Sequence, residues 1–259
     1  MEHTESAMKV EGRDHAQRAE TSASPIRTVL MLGFWTLALP FAALTGIPWA
    51  YLTKSVDFLY RTCMWGAWNG VRVAGVKVQV LGLEKIDRTR PYIFMSNHIS
   101  NLDPPIEIPL IPRRSSVMVK KELFKMPILG EIMRLGSLVP VDRGNRDAGI
   151  SAVREASRVL KSGISMMVYA EGGRSFDGRL LPFKKGPFYL AQECQVAIVP
   201  MTIAGTERAM PKGRFSIRPD LVTVTFHDPI DPVDFGAREC LMAKVRAAIN
   251  SGLPADLQE

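Results

Sequence analysis

The sequence predicts an α/β fold: a mixed, mostly parallel sheet flanked by helices, preceded by an apolar helical hairpin. Three observations lead there. An uncharged, largely apolar stretch runs from Thr28 to Thr53. After it, short strand-like runs take turns with segments of helical periodicity. Polar residues suited to chemistry stand where several of those runs stop, the place at which open α/β sheets bind ligands.

The elements follow in order. Met1 to Ser24 is polar, charged and without periodicity, so residues 1–25 read as a flexible tail. The Thr28–Thr53 stretch exceeds the ~20 apolar residues that cross a bilayer, but Pro40 and Pro48 interrupt it. A signal peptide does not fit, because an acidic tail precedes the run and no small-residue cleavage site follows. A single span and a buried core helix are alternatives. Arg27 before the run and Lys54, Arg61 and Arg72 after it put positive charge at both ends. That favours a hairpin broken at the prolines, dipping into one leaflet, with both ends on the cytoplasmic side. The following stretch keeps a helical pattern with Phe58, Cys63, Trp65 and Trp68, so residues 26–72 form the membrane-associated segment.

From Val76 the pattern is that of a soluble domain, bounded at 73–252 and closed by a 253–259 tail. "VKVQVLG", "YIFMS", "SVMVK", "GSLVPV", "ISMMVYA", "VAIVPMTI" and "LVTVTF" read as strands. Ile150, Val153, Ala156 and Leu160 recur at helical spacing, and Gly163 ends that helix. "CLMAKVRAAIN" is the closing helix.

The chain has 259 residues and a net charge of +7, with a pI near 9.4. That charge suits anionic partners. The bases are scattered over loops, with no zinc-finger spacing and no aromatic RNP-type strand, so nucleic acid is not expected. Three separated cysteines, Cys63, Cys194 and Cys240, give neither a metal spacing nor a disulfide framework. No metal and no cofactor is expected.

Three strand ends carry the chemistry. "YIFMS" stops at Asn97-His98, and Asp103 follows five residues later. Pro104 comes next, so Asp103 can be a simple helix cap and His98 an ordinary loop histidine. Alternatively the Asp103 carboxylate accepts the His98 Nδ1 hydrogen and leaves Nε2 to take a proton from a substrate hydroxyl. No G-x-S-x-G elbow supplies a protein nucleophile. A His–Asp pair without one suits direct attack by a substrate hydroxyl. Arg143 and Arg174 end two other strands, where a guanidinium can grip a phosphate or simply sit solvated. Gly172 and Gly173 allow close backbone approach. Lys184 and Lys185 precede a helix-like run and form a further anion-friendly turn.

These blocks resemble those of the glycerolipid acyltransferases. "NHISNLD" is similar to their NHxxxxD block, "GSLVPVDR" to the second, "AEGGRS" to the EGTRS block and "AIVPMTI" to the proline-containing fourth. Four blocks in order cover roughly Val76 to Ile203. The resemblance implies a membrane-bound enzyme that moves a fatty acyl chain from acyl-CoA or acyl-carrier protein (acyl-ACP) to the free hydroxyl of lysophosphatidic acid, giving phosphatidic acid. It implies His98 and Asp103 as the catalytic pair. Arg143, Glu171, Gly172, Arg174, Ser175 and Lys184 would bind substrate, and Pro200 would shape the acyl-donor site. Gly173 stands where the family usually has threonine, which opens the choice of acceptor headgroup. Rival readings are an acyltransferase for another lysophospholipid or a lyso-amino-acid lipid, a non-catalytic protein that binds anionic lipid, and a thioesterase or lipase using water.

Overall fold

The structure is a computed structural model that describes residues 23–142 and 146–259. The tail expected over residues 1–25 lies almost wholly outside the described residues.

The N-terminal segment is two helices, α1 (Pro25–Thr53) and α2 (Asp57–Val73), packed on each other. The expected break inside the Thr28–Thr53 run does not occur. Helix α1 passes through Pro40 and Pro48 without interruption, and the chain reverses after Lys54, which is in the left-handed conformation at φ 55°. Each proline removes one N–H, but helical hydrogen bonding continues on either side of it. All four threonines of α1 return their hydroxyls to the helix or its cap. Thr28 donates to Ser24 O, Thr36 to Leu32 O, Thr45 to Phe41 O and Thr53 to Trp49 O. Their polar groups therefore need no outside partner. The seam between the helices is tight where Trp35 of α1 meets Gly70 of α2. A Cβ at Gly70 would fall 1.9 Å from the indole nitrogen, which instead donates to Gly66 O at 3.2 Å.

The hairpin lies along the α/β domain rather than projecting from it. At one end of α1, Ser24 N donates to Ile217 O, Ile217 N donates to the Thr28 hydroxyl, and Met31 is buried in the main core. Near the other end, the Tyr51 hydroxyl donates to Glu131 at 2.6 Å. The Tyr60 hydroxyl of α2 lies 3.3 Å from that of Ser115. The outward face keeps Leu30, Leu37, Phe41, Leu44, Trp49 and Leu52 exposed.

The remaining elements are β1 (Lys77–Leu81), β2 (Ile93–Ser96), α3 (Asp103–Leu110), β3 (Ser115–Lys120), α4 (Leu129–Leu135), β4 (Val139–Val141), α5 (Arg146–Lys161), β5 (Ser165–Tyr169), α6 (Gly186–Cys194), β6 (Ile198–Ala204), α7 (Thr206–Ala209), β7 (Leu221–Phe226) and α8 (Arg238–Ser251). The strands form one sheet in the order β1-β7-β6-β2-β5-β3-β4. All adjacent pairs are parallel except β6 with β7. The mixed, mostly parallel sheet expected from the sequence is thus present. Two apolar clusters fill its two sides. One gathers Met31, Phe94, Ile106 and Phe226 beneath α3 and the hairpin. The other gathers Ile93, Ala156, Phe188 and Leu241 beneath α5, α6 and α8. Strands β2 and β5 are buried at every position, as expected where helices cover both faces. They carry the site at their ends.

Candidate active site

His98 follows the end of β2, and α3 starts at Asp103. The intervening loop folds back so that His98 Nδ1 lies 2.8 Å from Asp103 Oδ2. The same oxygen accepts from Ile99 N at 2.7 Å and Ser100 N at 2.8 Å. Asp103 therefore secures the loop before its helix rather than capping the helix itself; the residue at the cap position is Leu102. A carboxylate holding two backbone N–H groups is an acceptor, so the third bond requires Nδ1 of His98 to carry hydrogen. Nε2 is then the basic nitrogen. The Asp103 side chain is fully buried, and that of His98 keeps 11 % of its surface exposed.

The strand end is fixed from both sides. Asn97 clamps it to β6, donating to Ile203 O and accepting from Ile203 N, both at 2.9 Å. Glu171 fixes the histidine backbone: Oε1 accepts from His98 N and Oε2 from Leu181 N, both at 2.9 Å. Burial pushes the Glu171 carboxyl up to about 7, against the opposing effect of those two N–H groups. Ser175 closes the opposite edge, its N donating to His98 O at 2.8 Å and its hydroxyl to Asp177 at 2.9 Å.

Of the residues expected to bind substrate, Glu171 holds the His98 N–H with one carboxylate oxygen, and Ser175 meets the His98 carbonyl through its N–H while its hydroxyl bonds within its own turn, to Asp177 and Gly178 N. Gly172 is at φ 69°, where a Cβ would press on the Lys184 side chain at 3.1 Å. Its lack of a side chain seats Lys184. Arg174 is partly exposed on the same loop, and its carbonyl accepts from Lys212 Nζ at 2.6 Å. Arg143 lies outside the described residues. Pro200 sits within β6 in register with Met95 of β2, inside the sheet. The other described histidine, His227, lies 2.8 Å from the Thr202 hydroxyl, and burial lowers its pKa.

Two participants escape sequence reasoning. Tyr169, the last residue of β5, stacks on the His98 ring with centroids 4.0 Å apart and planes 18° apart. Glu107, one turn after Asp103 on α3, is fully buried, and the Ser96 hydroxyl donates to its Oε1 at 2.5 Å. The D-x-x-x-E spacing was a signal that could have flagged Glu107. Tyr169 also lines a cavity of about 900 Å³, shared with Met118, Val141, Val153, Gly172 and Lys184. Its walls are mainly apolar, with Asp142, Arg154, Lys185, Glu193 and Arg238 among the lining residues as well.

Glu171 yields a pH-dependent expectation. Its folded pKa lies above the ordinary carboxyl value, so the folded protein holds this proton more tightly than the unfolded chain does. Its contribution to stability therefore falls as pH rises from about 4.5 to about 7 and is level above that. Glu171→Gln removes this slope but leaves one backbone N–H without an acceptor, at a cost of about 1–3 kcal/mol. The variant is expected to unfold more easily than wild type at pH 5, with a smaller gap at pH 8. Denaturant melts at the two pH values measure this; a gap that stays constant or widens contradicts it.

Comparison with known proteins adds ancestry to this geometry. A family model described as Acyltransferase matches residues 77–204. A 1-acyl-sn-glycerol-3-phosphate acyltransferase from Limnanthes douglasii is 36 % identical over 190 residues, which is 73 % of this chain and 66 % of that protein. The human protein named 1-acyl-sn-glycerol-3-phosphate acyltransferase beta is 34 % identical over 128 residues, 49 % of this chain and 46 % of that one. The chain spans about two thirds of the length of the Limnanthes protein and less of several others. The crystal structure of the 1-acyl-sn-glycerophosphate acyltransferase PlsC from Thermotoga maritima superposes with a TM-score of 0.76 at 28 % identity, covering 88 % of this chain and 93 % of that one.

Proposed function

Because the chain belongs to the acyltransferase family that includes the 1-acyl-sn-glycerol-3-phosphate acyltransferases, we propose that it acylates lysophosphatidic acid to phosphatidic acid at a membrane surface. The observation that carries this reading is the buried His98–Asp103 pair at the end of β2, 2.8 Å apart. His98 Nε2 takes the proton of the acceptor hydroxyl as its oxygen attacks the donor thioester carbonyl. The tetrahedral intermediate collapses, the thiolate leaves, and the proton returns through His98 to the departing sulfur. Asp103 holds Nδ1–H and stabilises the imidazolium formed in between. Acyl-CoA and acyl-ACP are both suitable donors, since each carries the same thioester. The acyl chain takes the apolar cavity beside Tyr169.

Arg174, with Arg143 and Lys184, meets the acceptor phosphate. Arg174→Ala is expected to raise KM for lysophosphatidic acid roughly 10- to 150-fold, the equivalent of one hydrogen bond to a charged group at about 1.5–3 kcal/mol, with little change in donor KM. Initial rates with each substrate varied in turn test this; equal losses for both substrates remove the phosphate role. Gly173 is not at positive φ, and a Cβ added there would meet no atom within 4 Å. Gly173→Thr should therefore fold normally and report directly on acceptor choice when assayed with several lyso-lipids.

The hairpin supports attachment to one leaflet, and the positive charges of Arg27 and Lys54 at its flanks favour the cytosolic side for the catalytic domain. Helix α1 has 29 residues and is about 43 Å long at 1.5 Å per residue, yet both its ends touch the α/β domain. A helix tied down in this way lies along a surface and presents its exposed leucines and aromatics to lipid. Beyond the hairpin, Phe215 and Phe176 are also exposed, and Lys212 Nζ sits 3.3 Å over the Phe176 ring. Removing residues 1–53 would also take Met31 out of the core, so surface substitution is the cleaner test. Leu37, Phe41 and Leu44 changed together to serine should reduce co-sedimentation with anionic vesicles and activity on bilayer-borne acceptor. Activity on a short-chain soluble acceptor should change little. Unaltered vesicle binding contradicts the in-plane attachment.

A further inference from the structure

The buried carboxyl of Glu107 has no part in the mechanism above, yet it lies one helical turn from Asp103 and against the tyrosine that supports His98. Three side-chain atoms here are buried without a partner at full hydrogen-bond distance: Asp103 Oδ1, Glu107 Oε2 and the Tyr169 hydroxyl. They belong to one cluster. Asp103 and Glu107 interact by charge, and Tyr169 interacts with both. Leaving three such groups unsatisfied would be costly, and the positions of the protons resolve it.

Two carboxylates one turn apart in a dry interior do not both ionise. Asp103 accepts three N–H groups on Oδ2, from His98, Ile99 and Ser100, which hold it as the anion. Glu107 accepts a single hydroxyl, that of Ser96, so the proton belongs to Glu107. Burial and the Asp103 charge act in the same direction, raising its pKa well above the ordinary carboxyl range. With Oε1 already taken by Ser96, the carboxyl hydrogen sits on Oε2. That turns one orphan into a donor, and the buried, partnerless Asp103 Oδ1 one helical turn away is an acceptor suited to it. The Tyr169 hydroxyl then has the Glu107 carboxyl as its acceptor.

We propose that Glu107 is a positioning residue that, as a neutral acid, donates its proton to Asp103 Oδ1 and accepts from Ser96 and Tyr169. It thereby holds the Asp103 charge in place and keeps the Tyr169 ring stacked beneath His98. The inference rests on the acyl-transfer reading for its kinetic consequences, but the arrangement itself can be read without turnover.

The test compares Glu107→Gln with Glu107→Leu. The amide can still donate to Asp103 Oδ1 and accept from Ser96; leucine can do neither. Glu107→Gln should hold kcat within about threefold of wild type. Glu107→Leu should lose 10-fold or more in kcat with an unchanged acceptor KM. Without its second donor, Asp103 concentrates charge on Oδ2, which favours the imidazolium form of His98. The acid limb of the pH–kcat/KM profile should therefore move to higher pH in Glu107→Leu and not in Glu107→Gln. Titration of His98 in isotope-labelled protein by NMR gives the same shift independently of activity, so failure of this proposal is distinguishable from failure of the assigned reaction. Tyr169→Phe, which deletes one hydroxyl and keeps the stacked ring, provides a second probe that leaves the fold intact and should move the profile in the same direction by a smaller amount. Equal loss in the Gln and Leu variants with an unshifted His98 titration would overturn the proposal. So would a Glu107→Leu enzyme that matches wild type.

Discussion

Replacing His98 by alanine is expected to lower kcat for acyl transfer by about 10²–10⁴-fold, the usual contribution of a general base. The protein should remain folded, because the groups that secure this loop do not depend on the imidazole. Glu171 holds the His98 backbone N–H, Asp103 still accepts from Ile99 N and Ser100 N, and Ser175 N still donates to His98 O. Vesicle binding should likewise persist, since the hairpin's lipid-facing side is made of other residues. Melting temperature, vesicle co-sedimentation and single-turnover rate together check this. Wild-type turnover by a folded His98→Ala enzyme would eliminate His98 as the base, and would leave a lipid-binding protein as the better reading of the chain.

The second large effect belongs to Asp103→Asn. The amide occupies the same volume but removes the charge that stabilises the imidazolium. It can also present its NH2 group to Nδ1 and so favour the wrong tautomer. Loss of a hydrogen bond to a charged partner is worth about 1.5–3 kcal/mol, or roughly 10- to 150-fold, and a tautomer reversal deepens it. The instructive comparison is with the double variant. If Asp103 acts only through His98, His98→Ala/Asp103→Asn should be no slower than His98→Ala alone, because groups that work as a unit are not additive. Multiplicative losses would show that Asp103 has a second role in the reaction.

What the sequence discloses and what it hides follow physical lines. His98 and Asp103 were legible because an apolar strand run ends abruptly in a polar loop, and because the surrounding blocks are shared across a family. The alternation of strands and helices disclosed the mixed sheet. The reversed direction of β7 was not legible: parallel or antiparallel pairing with β6 depends on the path of the chain over residues 205–220, not on the composition of "LVTVTF". The prolines of α1 misled in the opposite way. A proline within an isolated helix reads as a break, yet α1 is held along the domain at both ends and by α2, and tertiary packing outweighs two lost N–H donors. The real reversal was marked by the return of charge at Lys54 and Asp57. Glu107 was hidden because "DPPIEIPL" has three prolines and no usable periodicity, so nothing beyond its spacing from Asp103 indicated that a glutamate there turns inward. Tyr169 was hidden by its run: at the end of "ISMMVY" it reads as one more core residue, and only the fold places its ring under the histidine. Glu171 and Ser175 were noticed through the EGTRS-like block, but the bonds they make to the His98 backbone, Glu171 through its carboxylate and Ser175 through its N–H, were not legible there.

Direct acyl transfer to a lysophosphatidic acid hydroxyl at His98 is tested most directly by product analysis. The purified protein, given acyl-CoA and separately acyl-ACP, should be assayed with lysophosphatidic acid, lysophosphatidylcholine, lysophosphatidylglycerol and no acceptor, following both the lipid product and free fatty acid. The expected result is phosphatidic acid as the main product, highest kcat/KM for lysophosphatidic acid, little free fatty acid without acceptor, and collapse of all transfer in His98→Ala. Preferential acylation of another lyso-lipid, or release of fatty acid to water at a comparable rate, would contradict it.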